Sequence, residues 1–482
     1  MSHLACRSSF RPALLASPAL ALAILAGCSM ERADTSPLVP ASVTGKYIAV
    51  LCDADMTGTA FADNLLGPRS AGLSDSLTVV GLPIADPTDP NANNWNTQVS
   101  QVAVSNSVMG PPVSLAVSAD GTRGYVVETR GPAPANATTV ADLPIGRKLT
   151  AVDLSNPALP VVIGMVDIGT EPTGVDVHPN GGLVACVTKN PGAQLVIVPV
   201  SSGEPLGQPM SFALPGIADM NARPSSVKWH PSGRYLAITL PETNQVLMLE
   251  FAMDKGDGLP GVAPWGSPVT VGKFPFSGQF TPSGKHFITT DVQWGPDVEG
   301  FLTGAPEGQL SVIRLSDVAT SIVEGGEERD SAGMVVSESS SRLDLEAVQH
   351  VVVSTATVGI SPESLAISPD GKYVVTGNIK RSHLPDGDSR QTRGGSLTLL
   401  TLNKRGELAV QGEYDLNAMP EGISFDASGN HVVVSQFRSF DPNSVGGELA
   451  FFRLLRGSSP SLKAGDFFVG VGTGPHGVLI VR

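Results

Sequence analysis

Charged side chains are scarce in this sequence, 16% against 41% hydrophobic, and aromatic residues make up only 5%. So apolar a chain with so little charge is not an intrinsically disordered polypeptide. Basic residues are outnumbered, 31 Lys and Arg against 45 Asp and Glu, for a net charge of -14. An acidic surface repels phosphate backbones, and no basic stripe with interleaved aromatics offsets it, so nucleic acid is excluded as the main partner. Cysteine is nearly absent, four in 482 residues, and no Cys-x-x-Cys-His run offers a c-type haem attachment. Also missing are a Gly-x-Ser-x-Gly elbow, a phosphate-binding loop and a His-Glu-x-x-His pair. Serine hydrolase, NTPase and zincin readings thereby lose their main support. No cofactor motif and no metal-ligand spacing takes their place. The nearest approach, Asp53-Ala-Asp55-Met-Thr57-Gly58, starts like a calcium loop but reaches Asn64 where a bidentate Glu is needed.

What the chain does have is turn chemistry: 53 Gly and 39 Pro among β-branched runs. That balance predicts many short strands. A repeat organises them. Pro112-Val-Ser-Leu-Ala-Val-Ser-Ala-Asp-Gly121, Pro172-Thr-Gly-Val-Asp-Val-His-Pro-Asn-Gly181 and Pro224-Ser-Ser-Val-Lys-Trp-His-Pro-Ser-Gly233 share one pattern. Pro275-Phe-Ser-Gly-Gln-Phe-Thr-Pro-Ser-Gly284, Pro362-Glu-Ser-Leu-Ala-Ile-Ser-Pro-Asp-Gly371 and Pro420-Glu-Gly-Ile-Ser-Phe-Asp-Ala-Ser-Gly429 continue it. Each reads as strand, tight turn, strand, with Gly supplying the positive φ of the turn. Further strands, such as Gln194 to Val200 and Ser396 to Leu402, bring the count to four per repeat, one propeller blade.

A seventh copy starts at Pro475 and has only its first strand, Pro475-His-Gly-Val-Leu-Ile-Val-Arg482. Its missing half lies at the other end, where Gly45-Lys-Tyr-Ile-Ala-Val50 matches Gly371-Lys-Tyr-Val-Val-Thr376. The expected fold is therefore all-β: a seven-bladed β-propeller of four-stranded antiparallel blades over residues 45–482. The N-terminal strand completes the C-terminal blade and leaves no free edge. The outsized gap between Pro275 and Pro362 holds an insertion at about 318–349, with the acidic stretch Glu324 to Asp330 reading as a solvated loop.

The first residues form a separate unit. Arg7 and Arg11 precede an apolar run from Ala13 to Ala26, too short to span a bilayer and with the charge order of a secretory signal. The run ends in Leu25-Ala26-Gly27-Cys28, which resembles the lipobox of bacterial lipoproteins. That resemblance implies a signal peptide over 1–27, a lipid on Cys28, and a polar tether over 28–44. It implies an exported chain held at the cell envelope by its lipid, with the membrane as a partner. Ser29 in place of Asp points to the outer membrane. Cys6 leaves with the signal, and Cys52 and Cys186, in non-adjacent blades, are expected as buried free thiols. A monomer is expected.

The repeat itself, most closely Pro362 to Val375, resembles that of the lactonase-like, surface-layer-type (YVTN-repeat) seven-bladed propellers, over nearly all of 45–482. Some members of that family are similar to sugar-lactone hydrolases or muconate-lactonising enzymes, and others are surface or redox-associated binding modules. Its enzymes work with His, Arg and Glu around the central cavity. Where some place His beside the repeat Pro of a middle blade, this chain has Arg223-Pro224-Ser225-Ser226.

Repeat phasing nominates the residues at one channel mouth. Beside the repeat Pro stand Glu171, Arg223, Glu363, Glu421 and His476. Just past the second strand stand Glu128, Arg130, Lys189, Glu242, Asp291, Asn378, Lys380 and Gln436, with Asp53 and Asp55 in the closing blade. Arg223, Glu363, Glu421 and His476 are the catalytic candidates: Arg223 to polarise a carbonyl, His476 or a Glu to activate water. The others form a ligand-binding funnel. Two functions fit these residues. The first is a cell-envelope scaffold binding a small ligand, a glycan or an envelope protein. The alternative is a lactonase-like hydrolase opening a sugar-derived lactone.

Overall fold

A computed structural model describes residues 38–67, 74–84, 99–107, 109–217, 219, 221–254, 256, 258–298, 306–316, 327–329, 335–338, 348–442, 444 and 446–482. The expected signal peptide, Cys28 and most of the tether lie outside the described residues. Among those described, no helix is long and apolar enough to cross a membrane.

Seven antiparallel sheets form the blades, the first six laid down in chain order from the centre outward. The innermost strands of blades 1 to 7 are Leu115–Val117, Gly174–Val177, Ser226–Trp229, Pro275–Phe280, Pro362–Ile367, Ala418–Phe425 and Pro475–Val481. Each touches the next, and the last touches the first, so the ring is closed. Six blades have four strands; in blade 3 a two-residue strand, Val269–Thr270, also pairs with the third strand, Gln245–Ala252. Blade 7 is built from both ends of the chain. Tyr47–Cys52 pairs on one side with Pro475–Val481, Tyr47 opposite Val481, and on the other with Ser76–Gly81.

The repeat explains this regularity. All six repeat glycines, Gly121, Gly181, Gly233, Gly284, Gly371 and Gly429, have φ between 68° and 76°. A β-carbon is disfavoured in that left-handed region, and the turn sends the second strand back against the first. His178 and His230 serve these turns as blade-to-blade ties. Nε2 of His178 donates to the Gly233 carbonyl at 2.8 Å, and Nε2 of His230 to that of Gly284 at 2.9 Å.

The core lies between blades. Second strands are almost wholly buried, as in Tyr235–Leu240, while outer strands such as Val161–Asp167 alternate towards solvent. Cys52 and Cys186 are free and buried in the second strands of blades 7 and 2. The insertion falls between the third and fourth strands of blade 4. Its described part is a hairpin of Glu327–Arg329 with Val335–Glu338.

Candidate functional site

At one mouth of the channel the inner strands begin with an irregularity. The register of first against second strand shifts between Pro275 and Ser277, between Pro362 and Ser364, and between Pro420 and Ile423. In blade 7 it shifts opposite Val50 to Cys52, between Val478 and Pro475. Phe276, Glu363, Glu421 and His476 are the residues after the repeat Pro that these bulges release from the ladder. A bulge re-aims its side chain. The bulges are held by hydroxyls from the preceding blade. Ser225 Oγ donates to the Phe276 carbonyl at 2.7 Å and Ser277 Oγ to that of Glu363 at 2.9 Å. Ser364 Oγ donates to the Glu421 carbonyl, and Ser435 Oγ to that of His476 at 2.6 Å.

The mouth encloses a cavity of about 340 Å³ with both Glu363 and Glu421 in its wall. They are 6% and 2% exposed, and Glu421 Oε2 has no hydrogen-bond partner. Burial pushes the Glu363 carboxyl up to about 8. Burial, and then the charge of Glu363, hold Glu421 well above the carboxylate range. The pair therefore keeps at least one proton at neutral pH, since two unhydrated anions cannot sit together. One protonated and one ionisable carboxyl side by side is an acid and a base on one site.

Across the ring, blades 1 to 3 supply cations. Lys189 and Arg223 line the cavity. Glu171 lies behind them, paired with Arg130 at 2.7 Å and with Lys189 at 3.6 Å. Burial lowers the Lys189 pKa; Glu171 opposes that, and the positive charges of Arg130 and Arg223 add to it. Arg223 is exposed and makes no ion pair among the described residues. Glu242 stands at the rim, exposed, in the short turn Pro241–Thr243.

The remaining nominated residues lie elsewhere. His476 is fully buried and is not part of the cavity wall. Its Nε2 meets Asn106 Oδ1 at 2.7 Å, while Asn106 Nδ2 donates to the carbonyls of Val104 at 2.9 Å and Cys52 at 3.4 Å. That fixes the amide, so the proton of the neutral ring is on Nε2 and Nδ1 is left unbonded. Burial lowers the imidazole to about 3.

Asp291 and Asn378 belong to their sheets, because the strand runs through them and keeps their side chains on a sheet face. Asp291 accepts from Ser311 Oγ at 2.6 Å and Thr289 Oγ1 at 2.9 Å, and burial raises it to about 7. Asn378 Nδ2 donates to Ser396 and Thr398 at 3.1 and 3.0 Å. Gln436 is buried within the second strand of blade 6. Glu128 accepts from the Arg147 backbone at 3.2 Å and lines a separate groove of blade 1. Lys380 clears its strand but turns to Asp415, 2.6 Å away. Asp53 and Asp55 accept backbone N–H groups, of Met56 at 3.0 Å and Ala133 at 3.1 Å. Among the described residues no cluster of His, Cys, Asp or Glu could hold a metal ion.

Repeat phasing missed the apolar half of the wall: Phe61, Phe274, Phe276, Trp294 and Phe437, with Met56, Met109 and Met419, and one further imidazole, His383. Trp294 is its hub. Its ring lies 5.5 Å from Phe61, 6.0 Å from Phe274 and Phe276, and 6.3 Å from His383, centroid to centroid. Burial, then Arg381 and Arg390, lower His383 to about 4. Most of these residues come from connections outside the repeat. The available signal was a large aromatic in a turn-rich stretch, Gln293-Trp294-Gly295-Pro296, and the Phe274-Pro275-Phe276 flank of one repeat Pro.

No family model matches the sequence, and no curated protein matches it significantly. Solved structures do match. A candidate 6-phosphogluconolactonase of Bacteroides uniformis aligns over 90% of this chain and 99% of its own, at TM-score 0.52 and 14% identity. The periplasmic gluconolactonase PpgL of Pseudomonas aeruginosa aligns over 91% and 99%, at TM-score 0.53 and 15% identity. A hypothetical selenium-binding protein of Sulfolobus tokodaii aligns over 91% and 94%, at TM-score 0.52 and 12% identity. At such identities the likeness shows the fold alone: this chain shares the seven-bladed propeller of the 6-phosphogluconolactonase-like structures.

Proposed function

We propose that the chain is a lactone hydrolase working in the mouth cavity. The observation that carries this reading is the buried pair Glu363 and Glu421 on adjacent blades, facing the same cavity as Lys189 and Arg223 across the ring. The ionised member of the pair takes a proton from water, whose oxygen attacks the lactone carbonyl. The cationic wall receives the charge that develops on the carbonyl oxygen. As the ring C–O bond breaks, the protonated member gives its proton to the leaving oxygen. The product is a hydroxy acid, and its carboxylate lies against the cations. The likeness to a gluconolactonase fold agrees with this reading.

The test is turnover of a panel of sugar, alkyl and aryl lactones by the soluble chain starting at Ser29. Hydrolysis above background, reduced at least a hundredfold in Glu363→Gln and Glu421→Gln, supports it. Folded protein with no turnover on any lactone sinks it and returns the cavity to a binding module for a glycan, a small ligand or an envelope protein.

We propose separately, from the lipobox-like Leu25-Ala26-Gly27-Cys28 after the apolar run, that the protein is held at the envelope by a lipid on Cys28, as a monomer and on the outer membrane. Mass spectrometry of the mature N-terminus would find diacylglycerol on Cys28, and Cys28→Ser would move the protein to the soluble fraction.

A further inference from the structure

The wall of the mouth cavity also bears on which lactone enters, an inference that rests on the hydrolase reading. A sugar lactone carries a hydroxyl on nearly every carbon. Each hydroxyl taken from water without a partner is costly, so a polyol site needs donors and acceptors to spare. This wall has few. Of its neutral polar side chains, Thr173 Oγ1 donates to the Pro224 carbonyl at 2.8 Å and Ser225 Oγ to that of Phe276 at 2.7 Å. Thr57 Oγ1 is held by Thr59 and the Leu65 carbonyl, both at 3.3 Å, and Trp294 Nε1 donates to Ser361 Oγ at 3.0 Å. His383 alone among them has a buried nitrogen without a bond, Nδ1. The other large surfaces offered are rings: Phe274, Phe276 and Trp294 form one contiguous face, their centroids all 6.0 Å apart.

We propose that the substrate is an amphipathic lactone with an aryl or alkyl body rather than a polyol. Its apolar body lies on Phe274, Phe276 and Trp294, and the carboxylate of the opened acid rests against Lys189 and Arg223. Rings and cations on separate parts of one wall are what an acid with an apolar body requires.

The test reads binding, apart from turnover, by calorimetry. The probes are 4-phenylbutyrate, its neutral amide and 6-phosphogluconate. The expectation is that 4-phenylbutyrate binds at least tenfold more tightly than either. Phe276→Leu, which keeps an apolar side chain there, weakens it at least fivefold, and Arg223→Gln narrows its advantage over the amide. Circular dichroism confirms that both variants are folded. Tighter binding of 6-phosphogluconate, or no effect of Phe276→Leu, overturns the proposal. Should 4-phenylbutyrate bind as expected while neither γ-phenyl-γ-butyrolactone nor glucono-δ-lactone is hydrolysed, the substrate class stands for a ligand and the hydrolase reading falls. Hydrolysis of glucono-δ-lactone in preference to the phenyl lactone does the opposite.

Discussion

His476 and Asn106 stand 370 positions apart in the sequence and 2.7 Å apart in the folded chain. The Asn106 backbone N–H is in turn held by Asp75 Oδ2 at 3.0 Å. This small network ties the inner strand of blade 7 to the connection that enters blade 1. Asn106→Ala leaves a buried Nε2–H without an acceptor. Its expected cost is about 1–3 kcal/mol of folding stability, read from urea denaturation at pH 7. His476 is outside the cavity wall, so the lactone KM is expected to stay within twofold of the parent value.

The carboxyl pair sets a pH profile. With Glu363 raised to about 8 and Glu421 also raised, the pair is largely protonated at pH 7, and its singly ionised form accumulates towards pH 8. Background-corrected lactone hydrolysis should therefore climb between pH 6.5 and pH 8.5. A profile flat over that range would show that neither carboxyl supplies the base.

The same displacement has a consequence for stability. Folding favours the protonated form of Glu363, so the stability this provides is complete below the ordinary value of 4.5 and is lost as pH rises through about 8. Each displaced unit corresponds to roughly 1.4 kcal/mol. Glu363→Gln cannot ionise. Its urea midpoint, compared with the parent, should gain progressively from pH 5 to pH 8 and level off above. A difference independent of pH would mean that the buried carboxyl stays hydrated.

Ring closure makes a prediction about two apolar residues of like size. Ile48 is fully buried and pairs with Ile480 in blade 7, whereas Met165 on the outer strand of blade 1 is 62% exposed. Ile48→Ala should cost about 2–5 kcal/mol. Met165→Ala should stay within about 0.5 kcal/mol of the parent. Equal losses in urea denaturation would argue that blade 7 is no tighter than the rim.

The architecture was legible because its signal is repeated. One Pro and one Gly at fixed spacing mark six of the seven blades, and a copy divided between Gly45 and Pro475 has few explanations besides closure. The site was legible in part for the same reason. Glu363 and Glu421 follow the repeat Pro, and a bulge at that position turns both to the mouth. The rule failed where the strand ran further than the repeat suggests, as through Asp291 and Asn378, whose side chains stay within their sheets. It failed at Lys380 because a nearby Asp415 offered a shorter reach than the channel. Trp294 and Phe61 were out of its scope, since they come from connections that differ from blade to blade and meet only in three dimensions.

The blade shared by both ends also orders events in time. Of the propeller strands, Tyr47–Cys52 is the first to leave the ribosome and its partner Pro475–Val481 the last. Throughout synthesis this apolar strand, buried at every position in the finished fold, has one edge without its mate. Closing so long a loop costs entropy before any hydrogen bond repays it, and folds dominated by such distant pairings are slow. A chain crossing a membrane before it folds meets no conflict here. Were the chain exported unfolded, as proposed above, the clasp would form only once Pro475–Val481 had followed Tyr47–Cys52 across.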